Sequence, residues 1–100
     1  MKAMVYVNPF LPADQYVVRC FNSQVSGSTP CAIARRRGAG DYEIDFGFNV
    51  GDRFISFSPG GRDINHVQVS ANGNSVFVTF SHPWDYDGTI RDCDFYIFVF

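Results

Sequence analysis

Between Asp41 and Asn49 the side chains alternate without interruption. Tyr42, Ile44, Phe46 and Phe48 fall on one side of an extended chain, and Glu43 and Asp45 fall on the other. A period of two describes a half-buried strand and fits no helix. Residues 75–81 repeat the pattern, with Val76, Val78 and Phe80 opposed to Phe77 and Thr79, and residues 64–71 repeat it more weakly. The choice of residues agrees, since eleven Phe and five Tyr stand beside a single Leu, a single Lys and a single Glu. Aromatic and β-branched side chains suit a pleated surface, and the strong helix formers are nearly missing.

Turn chemistry separates these segments. Residues 23–30, Gly38-Ala39-Gly40-Asp41, Asn49-Val50-Gly51-Asp52, Pro59-Gly60-Gly61 and Asn72-Gly73-Asn74 are all breaks, and the last is a hairpin signal because Asn and Gly accept positive φ. Further strands are expected over residues 15–22, 31–37, 53–58 and 92–100. Seven or eight short strands with no helical segment between them predict an all-β fold, an antiparallel β-sandwich of jelly-roll-like form. Asn8-Pro9 and Leu11-Pro12 make residues 1–12 an extended arm or edge strand, because proline is not tolerated in a central strand. The sandwich would then occupy residues 13–100. No repeat of fixed period is visible.

A chain of 100 residues hides about two thirds of its unfolded surface, enough for one domain and too little for two. Net charge of −2 argues against nucleic acid, and the 17% aromatic content excludes disorder. No apolar run approaches a membrane span, and residues 1–9 break before a signal-peptide core forms, so the chain is expected to stay where it is made. Cys20, Cys31 and Cys93 make an odd count without a CxxC pair, which suits a reducing compartment and buried thiols. Cys20 and Cys31 could still face each other across a hairpin.

Three groups of residues are candidates for function. Arg35-Arg36-Arg37 is the densest charge, with Arg35 and Arg37 on one face of a strand and Arg36 on the other. Such forks dock acidic surfaces, or pair with Asp41, Glu43 or Asp45 across a hairpin. Phe10, in the proline-flanked arm, is a further docking candidate. His82, Trp84, Asp85, Tyr86 and Asp87 place the only Trp beside Tyr and two carboxylates on a loop, an arrangement suited to stacking a sugar, to an interface or to packing. Asp85, Asp87, Asp92 and Asp94 offer oxygen ligands in an i, i+2 spacing, but Gly88 directly after Asp87 breaks the EF-hand register and turn stabilisation is the plainer reading. His66, His82 and Cys93 lack zinc-ligand spacing, and Glu43 and Asp45 on an outer strand face lack an apolar pocket. No catalytic, cofactor or metal site is expected.

The run Gly40-Asp41-Tyr42-Glu43-Ile44-Asp45-Phe46, then Asn49-Val50, Asp52-Arg53-Phe54, residues 72–79 and the closing Asp94-Phe95-Tyr96-Ile97-Phe98-Val99-Phe100 resembles small all-β modules. Such modules end phage tail-fibre-like and bacterial surface proteins, often as trimers. The resemblance begins near Arg37 and consists of turns and core positions. This chain differs in starting from its own Met, with the arm where a fibre shaft would enter. The resemblance implies a non-enzymatic virion structural protein, a capsid decoration, cement or tail-associated subunit. It would self-associate, with a trimer favoured, bind other virion proteins and reside on the virion. The alternative is a carbohydrate-binding module using the 82–88 loop. The run at residues 95–100 is so apolar that it must be covered on both faces. One small sandwich has few places to hide two apolar faces, and the aromatic excess therefore points to partners.

Overall fold

Alternation in the sequence becomes alternation in burial. A computed structural model describes residues 1–25, 31–60, 66–81 and 93–100. Among them lie eight strands: β1 Ala3–Val7, β2 Val17–Asn22, β3 Ile33–Gly38, β4 Asp41–Asp45, β5 Ile55–Pro59, β6 His66–Asn72, β7 Ser75–Ser81 and β8 Phe95–Val99. A short 3-10 turn at Ala13–Gln15 is the only helical element among the described residues.

The strands form two four-stranded antiparallel sheets, ordered β2-β1-β8-β5 and β3-β4-β7-β6. Three hairpins stay within a sheet, and the other connections cross between sheets. The sandwich expected from the sequence is present, although this order does not single out a jelly roll. The hairpin at residues 72–75 has a two-residue loop in which Gly73 takes φ 60° and Asn74 is not positive. Those are the φ signs of a type II′ turn, whose first central position suits glycine.

Ala3, Val5 and Val7 from β1 and Phe95, Ile97 and Val99 from β8 turn inward and are buried. They meet Tyr42 and Ile44 of β4 and Val76, Val78 and Phe80 of β7. Four rings join the layers at one end. Phe95 lies 5.3 Å from Tyr42 and 5.9 Å from Phe80, while Phe57 of β5 lies 5.7 Å from Phe95 and 6.4 Å from Phe80. Such pairs add to the burial that already drives the sheets together.

Two expectations change. Residues 1–12 are neither an arm nor an edge strand, because β1 pairs with β2 on one side and β8 on the other. Pro9 and Pro12 lie past the end of β1, so they cost it no ladder hydrogen bond. The sandwich therefore includes the N-terminal residues. The second change concerns β8, whose inner face is covered while Tyr96 and Phe98 are only half-buried and Phe100 is 54% exposed.

Phe95→Ala should lower stability in urea unfolding by about 3–5 kcal/mol, as expected for a ring removed from a packed core. Phe54→Ala, at a position 85% exposed, should change it by no more than about 0.5 kcal/mol. Equal effects at the two sites would contradict the assignment of faces.

Candidate functional site: an aromatic outer sheet face

The two outer faces of the sandwich differ in chemistry. On the β3-β4-β7-β6 sheet, Glu43 accepts a hydrogen bond from the Ser75 hydroxyl at 2.9 Å and pairs with Arg35 at 3.9 Å. The Arg37 guanidinium lies 5.4 Å from the Phe77 ring centroid, covering the one ring on that face among the described side chains. Gln68, Ser70, Asn72 and Thr79 share the same outward parity. Polar outside and apolar inside is the usual division for an antiparallel sheet.

The β2-β1-β8-β5 sheet reverses this. Its register sets Phe21, Met4, Phe98 and Ser56 in one row across the four strands, and Arg19, Tyr6, Tyr96 and Ser58 in the next. A bond from the Phe100 N–H to the Phe54 carbonyl continues the register, so Phe100 and Phe54 extend the same face. Four Phe, two Tyr and one Met thus share the outside of one sheet. Tyr6 and Tyr96 stack at 4.5 Å, and the Tyr96 and Phe98 rings are parallel within 4° at 6.1 Å. Phe21, Phe54 and Phe100 are 47%, 85% and 54% exposed. With a large ring presenting about 150–250 Å², these three alone leave on the order of 300 Å² of apolar surface in water. A monomeric protein rarely leaves so much in one patch without a use for it.

One polar device sits at the margin of this face. The Tyr6 hydroxyl donates to Asp94 Oδ2 at 2.5 Å. The Gly60 N–H donates to the Asp94 carbonyl at 2.8 Å, and a Cβ at Gly60 would run into the Asp94 carboxylate. The hydrogen bond to Asp94 holds the Tyr6 phenol protonated and pushes its pKa up from 10 to about 12.

A second feature lies on the side of the sandwich where β2 and β3 are the sheet edges. A groove of about 370 Å³ runs there between Tyr16 and Val17 on one wall and Ile33 and Ala34 on the other. Cys20 and Cys31 line it and are joined by a disulfide, with Cα atoms 6.1 Å apart. The thiols expected from the odd cysteine count are therefore bonded here, while Cys93 is buried and takes no part in a disulfide. Cys20 lies opposite the buried Val5 and so faces inward, where the return of the chain into β3 delivers Cys31. The Asn22 side chain strengthens the same junction by donating to the carbonyls of Cys31 and Phe46.

The residues singled out from the sequence come from separate segments of the chain. Arg35, Arg36 and Arg37 are exposed along the β3 edge, and Arg35 takes the cross-hairpin partner expected for it, Glu43. Phe10 is 54% exposed in the turn after β1, with its N–H on the Asn8 side chain. His82, Trp84, Asp85, Tyr86 and Asp87 lie outside the described residues, as do Asp92 and the His66 side chain. Asp94, the described member of the carboxylate group, is engaged by Tyr6. Among the described residues no three His, Cys, Asp or Glu side chains converge on a metal position, and no helix is long and apolar enough to cross a membrane. The aromatic face was missed because its members come from four separated segments. Its one signal in the sequence was the run at residues 95–100. Comparison with protein-family models, curated proteins and solved structures finds no match to this chain.

Reducing the Cys20–Cys31 bond, which closes a sequence separation of 11, should lower unfolding free energy by about 2–3 kcal/mol. A natural protein whose stability is unmoved by reductant, or a Cys20→Ser/Cys31→Ser protein as stable as the oxidised form, would contradict this contribution. Because the Tyr6 pKa is raised, its contribution to stability is fully present below pH 10 and is lost as pH rises toward 12. Ultraviolet titration should therefore show a tyrosine transition near pH 12 that Tyr6→Phe removes.

Proposed function

We propose that this protein is a non-enzymatic structural subunit that self-associates and attaches to a larger assembly through the aromatic outer face of the β2-β1-β8-β5 sheet. The observation that carries the reading is the seven apolar side chains on that one outer face, three of them Phe between 47% and 85% exposed. Interface cores are rich in aromatic residues and Met and poor in charge, and this face has the same make-up. Lys2, Arg19, Ser56 and Ser58 stand in the same rows and would supply a polar rim.

The resemblance to phage tail-fibre-like and bacterial surface modules supplies the setting, a decoration, cement or tail-associated subunit on a virion, with three copies about an axis. The Cys20–Cys31 disulfide supports an exposed, oxidising location, since such bonds persist on virion and cell surfaces and are rare in a reducing cytosol. In this reading the polar outer face of the second sheet stays in water while the aromatic face carries the contact.

Sedimentation velocity at about 10 μM, where a contact of micromolar Kd is half formed or better, should give an oligomer for the natural protein. Phe54→Ser/Phe100→Ser should give a monomer with an unchanged melting transition. A natural protein that sediments as a monomer, or a double variant that keeps the oligomer, would overturn the proposal.

A further inference from the structure

We propose that the β3 edge is a strand-addition site for an extended acidic segment of a partner protein. Among the described residues β3 pairs with β4 on one side only, so every second backbone N–H and C=O along it points away from the sheet. Those groups require water or another strand. The groove of about 370 Å³ lies beside this edge, walled by Val17, Ile33 and Ala34. A segment laid antiparallel on β3 would place alternate side chains over that groove and the others on the outer face of the sheet.

Charge selects the occupant. Arg35, Arg36 and Arg37 on this edge are all exposed, and they are three of the eight Lys and Arg residues of the chain. A second copy bringing its own β3 would set like charges against each other, which disfavours pairing. An acidic strand meets the opposite condition. Its outward carboxylates would come beside Arg35, which the register sets opposite Glu43 on the outer face, and beside Arg37, which sits at the bulge before Gly38 with its guanidinium on the Phe77 side. Arg37 is already laid over Phe77. Arg35 touches Glu43 only at ion-pair distance, 3.9 Å, so its fork can still take a carboxylate. The inward side chains must be small and apolar to fit against Val17 and Ala34. The segment this edge reads is therefore an alternation of acidic and small apolar residues.

A fluorescent peptide of about six residues alternating Glu and Val provides the probe, read by anisotropy against the full chain. Binding is expected, with affinity falling as salt rises from about 0.05 M to 0.5 M. Replacing the Glu residues with Lys, or N-methylating the peptide on the edge that faces β3, should abolish it. Arg35→Glu/Arg37→Glu should weaken it about tenfold or more, and circular dichroism should show that variant still folded. If that variant fails to fold, the N-methylated peptide decides the question with the natural protein. No binding by the acidic peptide would overturn the proposal, and so would binding that survives N-methylation.

Discussion

A sandwich of two sheets has four faces and can hide only two of them. Everything in this structure follows from how the side chains are divided among those faces. The inner pair is filled by Val, Ile and aromatic rings, and Tyr42, Phe57, Phe80 and Phe95 bridge the layers. The outer face of the β3-β4-β7-β6 sheet is satisfied by its own polar contacts, Ser75 to Glu43, Arg35 to Glu43 and Arg37 over Phe77. Only the outer face of the β2-β1-β8-β5 sheet is left apolar and uncovered by the other described residues. Burying it is favourable, and nothing in the described part of the fold does so.

The packed core and the aromatic outer face depend on each other. β8 can be apolar on both sides because it is an interior strand, paired with β1 and β5, and an interior strand exposes no ladder groups. Its inner residues secure the core, and its outer residues Tyr96 and Phe98 form the middle of the aromatic face. The edges at β2 and β3 are managed differently. A disulfide ties the two layers together there, and three arginines line β3. The molecule thus has one broad hydrophobic face and one narrow, positively charged edge.

Much of the architecture was legible in the sequence, and the reasons are local. β7 occupies the residues its alternation marked, and Tyr42, Ile44 and Phe46 point inward as their spacing required. Asn72-Gly73-Asn74 turns as its φ preferences dictate. What was not legible is non-local. Pro9 and Pro12 argued for an arm, but the strand ends at Val7 before either is reached, and pairing with the far end of the chain makes β1 interior. The Cys20–Cys31 bond depends on how the chain returns between sheets, which spacing alone leaves open. The aromatic face needed the registers of β2, β1, β8 and β5 together before Phe21, Met4, Phe98 and Tyr96 could be seen as neighbours.

Hydroxyl-radical footprinting read by mass spectrometry, compared between dilute and concentrated protein, tests the central claim residue by residue. Oxidation of Phe54, Phe98 and Phe100 should fall as the protein associates, while Phe77 on the opposite outer face should keep its reactivity. Protection of Phe77 in their place, or no change on either face, would contradict the account.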